Sequence, residues 1–196
     1  MTMKIGILTT AALASLAIVC TASADTFRIN KGKVIVVCPL TVGGSFEART
    51  AAVEGEVTSG TGGVLDGRVA VDLASLETGI ALRDRHLKEN YLEIGKQDGF
   101  DRAVLEQIQI RSVMALADQP FSGLLTLHGE QLPVNGTISI RDDHGKWRAE
   151  AEFPVRLARF RIQTPQYLGV GVTDEVRVRI QFDILRSASQ LAGARR

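Results

Sequence analysis

Val176, Val178, Ile180, Phe182 and Ile184 alternate without a break with Arg177, Arg179, Gln181 and Asp183. A period of two puts neighbouring side chains on opposite faces of an extended chain, so this run is a strand with one dry face and one wet face. The pattern recurs upstream. Trp147, Ala149, Ala151 and Phe153 oppose Lys146, Arg148, Glu150 and Glu152, while Ile138 and Ile140 oppose Thr137, Ser139 and Arg141. The tight Asp142-Asp143-His144-Gly145 between these two runs predicts a hairpin. Shorter runs sit at Val34–Cys38, ended by Pro39, at Ser45–Arg49, Val53–Val57 and Val104–Ser112, and at Gly123–His128. In the last of these Leu125 and Leu127 face away from Thr126 and His128. About eight antiparallel strands with one dry face each must pack as two sheets or curl into a barrel.

One stretch breaks the period. Val69, Val71 and Leu73 alternate with Ala70, Asp72 and Ala74, after which Ile80, Leu87, Tyr91 and Ile94 fall near one face of a helix. Arg83, Asp84, Arg85, Lys88 and Glu89 surround that face, and Gly95 is placed to stop the helix. The expected fold is therefore mainly β, a single antiparallel eight-stranded barrel with one helix between strands.

The ends of the chain stand apart from this pattern. Lys4, an apolar run from Ile5 to Val19 and the small residues Ala22-Ser23-Ala24 read as a secretory signal peptide over 1–24. The run is short for a membrane span, and Val19 before Cys20 suits lipoprotein processing poorly. Residues 25–186 then form one domain, and 187–196 a polar, small-residue tail. Removal of Lys4 leaves 22 basic and 22 acidic residues, interleaved, which excludes a phosphate-backbone binder. Cys38 is left without an internal disulfide partner despite export to an oxidising compartment, and reads as a small buried apolar residue.

Enzyme signatures are lacking. His86, His128 and His144 show no metal-ligand spacing with one another or with Cys38, there is no Gly-x-Ser-x-Gly elbow, and the glycine pairs at 43–44 and 62–63 lack the context of a phosphate loop. His128 and His144 read as surface residues. No catalytic residue, metal or cofactor is assigned. What remains is a dry barrel interior, either a pocket for an apolar ligand or a solid core.

The residues Asp72-Leu73-Ala74-Ser75-Leu76-Glu77-Thr78-Gly79 followed by Arg83-Asp84-Arg85-His86-Leu87 resemble the central signature of the YceI family, Asp-x-x-Ser-x-x-Thr-Gly leading to Arg-Asp-x-His-Leu. Gly123 to Gly129, Leu132-Pro133-Val134 and Gly44-Ser45-Phe46 extend the resemblance over most of the chain. It implies a lipocalin-like periplasmic barrel whose apolar channel binds a long-chain amphiphile such as a polyisoprenoid, a quinone or a fatty-acid-like lipid, as ligand and not as cofactor. The residues facing such a channel are Val36, Phe46, Val71, Leu73, Leu87 and Tyr91, then Leu125, Leu127, Phe153, Phe160 and Tyr167, with Arg83 and His86 at its rim. Arg83, Arg85 and His86 suit the polar head of an amphiphile, and Asp84 and His86 equally suit a role pinning the helix. Two stretches depart from the family pattern, Asn90-Tyr91-Leu92-Glu93 and Arg159-Phe160-Arg161-Ile162, both placed to reshape a pocket mouth. The competing readings are a filled-core interaction module and, less favoured, a hydrolase or isomerase acting on a lipid with Asp84 and His86. A transient membrane contact and a homodimer are both compatible with the sequence.

Overall fold

The computed structural model describes residues 26–59, 64–110, 116–143, 146–167 and 169–186. The stretch 1–24 read as a signal peptide, the loop glycines after Ser59, His144 and the tail after Arg186 lie outside these described residues. The strands are β1 (Thr26–Pro39), β2 (Ser45–Thr50), β3 (Val53–Ser59), β4 (Val64–Asp72), β5 (Arg102–Ile110), β6 (Leu116–Leu127), β7 (Glu130–Asp143), β8 (Lys146–Arg156), β9 (Gln166–Tyr167), β10 (Val170–Gly171) and β11 (Glu175–Arg186). Their order β11-β8-β7-β6-β5-β4-β3-β1 closes on itself because β1 also pairs with β11, from Phe27↔Arg186 to Val37↔Arg177. β2 and β3 are two halves of one arm: β2 pairs with Val34–Pro39 and β3 with Thr26–Arg28 of the same strand. Counted this way the barrel has eight strands, and closure removes the edges that an open sheet would expose.

Strict alternation does not survive along every strand. Leu105 and Ile108 are both buried although an odd spacing should put them on opposite faces, and the same holds for Phe27 and Val34. A register shift lies between each pair, with Gln107 and Lys31 in the left-handed region at φ 50° and 54°. Further shifts occur in β4 at Gly67 (φ 134°) and in β6 at Asp118 (φ 42°), where Asp118 accepts a hydrogen bond from Ser139 Oγ at 2.6 Å. Each extra residue bends its strand and resets the dry face inward, which is how strands this long coil into a closed wall.

The connection from β4 to β5 folds across one end of the barrel. A 3₁₀ turn, Leu73–Ser75, is followed by α1 (Ala81–His86) and one π-helical turn, Leu87–Tyr91. The helix is shorter than the apolar spacing predicts. It ends at Leu92, and Glu93 takes the left-handed conformation (φ 51°) two residues before Gly95, the expected stop. Ile80 is also not on the buried face. It precedes the first helical turn and is exposed, whereas Leu87 and Tyr91 pack on the core. Both of these side chains belong to the π turn.

Candidate functional site

The dry faces do not fill the barrel. Beneath the helix lies a cavity of about 140 Å³, walled by Val34, Val36, Val71, Leu125, Phe153 and their neighbours from all sides of the barrel. Among the described residues only Cys38, Tyr91 and Gln163 are polar members of this wall. A cavity of roughly 150 Å³ lined by hydrocarbon stays dry and takes a ring the size of benzene, so the lumen is an apolar binding space as it stands. A smaller chamber of about 70 Å³ lies toward the other end, between Phe27, Ile29, Ile138, Ile140 and Phe182. Val69 borders both. On β8, Ala149 faces the lower chamber and Phe153 the upper, and the buried Ala151 between them belongs to neither. Phe153 meets Phe121 edge to face at 5.7 Å there, forming a waist.

The helix over the open end is held by the polar signature of the crossover, and its geometry shows what each residue does. Asp72 caps the 3₁₀ turn by accepting from the Ala74 amide at 2.9 Å, while Ser75 Oγ donates to the Asp72 carbonyl at 2.6 Å and meets Thr50 Oγ1. Gly79 turns the chain at φ 80°. Asp84 then reaches back and accepts from both the amide (2.6 Å) and the hydroxyl of Thr78. These two hydrogen bonds, reinforced by Lys88 and Arg83, hold the Asp84 carboxyl below its ordinary value of 3.8. Because the folded value is the lower one, the stabilisation is complete above about pH 4 and is lost as pH falls through the folded value. Asp84→Asn should therefore melt below the parent protein at pH 7, and the two melting curves should converge on acidification past the parent's folded value. A gap that persists unchanged in acid rules out the charge as its source.

The lumen opens outward past Phe46, Leu87 and Tyr91, which line both it and an outer vestibule of about 900 Å³. Ile80, Leu82, Arg83 and His86 form the helix side of the vestibule, and Pro165, Val170 and Val172 form part of the other. The Arg83 guanidinium carbon sits 4.3 Å above the Phe46 ring, a cation–π contact that places a fixed positive charge at the doorway. Just inside, burial raises the Cys38 thiol to about 11, with Arg83 pulling weakly the other way. Only about one thiol in a thousand is then ionised at pH 8, so Cys38 should resist iodoacetamide in the native protein and react on unfolding in urea. Prompt native labelling at that pH means the thiol is not buried in this wall.

The YceI-like domain model matches residues 20–184. The chain belongs to the YceI-like domain family. No curated protein sequence matches it. Among solved structures it is similar to BcnA of Burkholderia cenocepacia, at 14% identity and a TM-score of 0.63, covering 79% of this chain and 96% of that one. It is also similar to a polyisoprenoid binding domain from Saccharophagus degradans, at 13% identity and 0.59, covering 82% and 98%. A YceI protein of Campylobacter jejuni follows at 13% and 0.51, covering 71% and 84%. At these identities the likeness is one of fold.

In this YceI-like domain the residues named from sequence do not all fall in one place. Val36, Phe46, Val71, Leu73, Leu87, Tyr91, Leu125, Leu127 and Phe153 all line the lumen. Arg83 and His86 line the vestibule instead, on the helix above it. Phe160 does neither: it is buried at the end of a 3₁₀ turn, Leu157–Phe160, and its carbonyl lies 3.1 Å from His128 Nδ1. Tyr167 lies in β9, with its side chain outside the described ones.

His128 also differs from its expected place at the surface. It is buried, its ring centroid 4.0 Å from that of Phe100 and Nε2 3.5 Å from Glu93 Oε2. His128 and Gly129 both have positive φ, as in a type I′ turn, so the strand alternation ends at Leu127 and the imidazole swings beneath the helix end. Lumen residues missed from sequence include Leu157, Ile162 and Val172, which come from turns where no period of two exists.

Proposed function

We propose that this protein is an exported, non-catalytic carrier that holds the hydrocarbon tail of a long-chain amphiphile, of the polyisoprenoid class, in its lumen. The observation that carries the reading is the hydrocarbon wall of the lumen, continuous past Phe46, Leu87 and Tyr91 with a vestibule where Arg83 waits. The description of the similar Saccharophagus degradans domain as polyisoprenoid binding supports it.

The driving force is removal of the tail from water, about 0.8 kcal/mol for each methylene buried. Ten methylenes contribute about 8 kcal/mol, equivalent to micromolar affinity before the costs of ordering the chain. The upper lumen alone receives only a ring-sized segment. A longer tail parts the waist toward the lower chamber or lies along the vestibule, with its polar head near Arg83 and His86. A guanidinium suits a phosphate or pyrophosphate head through paired hydrogen bonds. Among the described residues the wall brings together no nucleophile and base: burial keeps Cys38 protonated, and Asp84, on the helix outside the wall, is engaged with Thr78. The sequence of residues 1–24 supports export to the periplasm.

Native mass spectrometry of protein taken from its own host should show an apolar adduct, released by organic extraction. Protein that is always empty, and that fails to take up farnesol or an octaprenyl probe, sinks the carrier reading.

A further inference from the structure

Among the described residues, five large apolar side chains are exposed: Val42, Ile80, Leu82, Val170 and Leu185. Four of them lie at the mouth. Ile80 and Leu82 stand at the start of the helix, 50% and 54% exposed, and Val170 faces them from β10 across the vestibule. Val42, 66% exposed, tips the turn after β1, which is stitched to β10 by Thr41 N donating to the Gly171 carbonyl (2.8 Å) and Gly171 N donating to Thr41 Oγ1 (3.0 Å). The rim is thus preformed, and apolar side chains concentrated at one end of an otherwise charged surface mark a contact site.

The charge at this end identifies the partner. Among the described residues the ionisable side chains lining the vestibule are Arg83, His86 and Tyr91, and no carboxylate joins them. On the helix, Asp84 is engaged with Thr78 and Glu89 is exposed outside the vestibule lining, and Glu47 on β2 is paired with Arg49. An apolar ring enclosing the fixed positive charge of Arg83 is complementary to a layer of anionic headgroups over hydrocarbon. We propose that the mouth docks on an anionic lipid bilayer, with Val42, Ile80, Leu82 and Val170 entering the headgroup layer and Arg83 and His86 facing lipid phosphates. In that pose the dry path from bilayer to lumen is continuous, since Leu82 leads to Leu87 and Tyr91 at the doorway. The inference rests on the lumen being a lipid site, but its test reads a different quantity.

The test is co-sedimentation of the purified protein with large unilamellar vesicles, comparing phosphatidylglycerol/phosphatidylethanolamine with phosphatidylcholine alone. Intact mass confirms that parent and variants carry the same N-terminus, so any leader contributes equally. Binding should be stronger to the anionic vesicles and fall with salt. Val42→Asp/Leu82→Asp should lower the partition at least tenfold while circular dichroism shows the fold retained. Val42→Asp alone, outside the vestibule, should weaken vesicle binding and leave uptake of N-phenyl-1-naphthylamine in vesicle-free buffer at the parent level. Parent protein that takes up the probe but binds no vesicle, or variants that bind vesicles like the parent, overturn the docking and leave the lumen reading standing. A dimer in sedimentation velocity that Val42→Asp abolishes makes the rim a self-interface and also overturns it. Parent protein that binds vesicles but takes up no probe counts against the lumen reading instead.

Discussion

Leu127→Trp should weaken the protein's hold on an apolar tail by more than an order of magnitude while leaving it folded. Leu127 is buried near the mouth end of β6 and lines the lumen, so an indole on that position has the empty space in front of it to enter. Overpacking a solid core costs about 1–3 kcal/mol because neighbours must move. Here the ring fills a cavity of about 140 Å³, and the cost should stay at or below about 1 kcal/mol. Displacing three methylenes of ligand removes about 2.4 kcal/mol, a loss of roughly 50-fold in affinity. Leu127→Ala makes the opposite test: it widens the lumen, loses about 2–5 kcal/mol of stability, and should keep the site open. Fluorescence titration with a prenyl alcohol and urea unfolding separate the two quantities. If the Trp variant binds like the parent, the tail does not occupy this space. If it unfolds as readily as the Ala variant, there is no space to fill.

How far such a site can be read from residues alone depends on whether the period is intact. From Val176 to Ile184 alternation holds, and the inward residues follow directly. In β5 it does not, because Gln107 adopts a positive φ that nothing in its chemistry announces. The one available signal is the odd spacing of Leu105 and Ile108, two residues too apolar to be left in water. His128 fails for a related reason: it looks like the outward partner of Leu127 until the His128–Gly129 turn reverses the chain. The helix end was set by backbone too, since Glu93 turns left-handed before Gly95 is reached. In sequence Phe160 reads as an aromatic for the pocket, yet its ring is core and its carbonyl serves His128. The contact of Arg83 with Phe46 joins residues 37 positions apart, and no local pattern reports it. The Asp72 to Asp84 signature is visible as a pattern, but its division of labour, a cap at Asp72, a turn at Gly79 and a tie from Asp84 back to Thr78, emerges only from the backbone and the hydrogen bonds.

Gly136→Ala should be among the most damaging single substitutions in this chain. Gly136 is an interior residue of β7, facing the waist where Phe121 crosses Phe153. A Cβ built there lies 2.2 Å from the Glu152 carbonyl oxygen and 2.7 Å from both Phe121 Cε1 and Phe153 Cβ. The first neighbour is backbone of the adjacent strand and cannot rotate away, and the other two are ring and stem of buried aromatics. Relief therefore requires β7 and β8 to separate, breaking the pairing around Thr137↔Glu152 and loosening the edge-to-face rings. The expected loss is about 3 kcal/mol or more, at the upper end of overpacking costs. Gly43, in the open turn after β1, is the control. Its φ of 91° disfavours a side chain but no atom lies within 4 Å, so Gly43→Ala should cost only about 1 kcal/mol of backbone strain. Urea unfolding of both variants gives the comparison. Equal, small losses mean that β7 and β8 do not approach this closely, and the waist dividing the two chambers then has no rigid side.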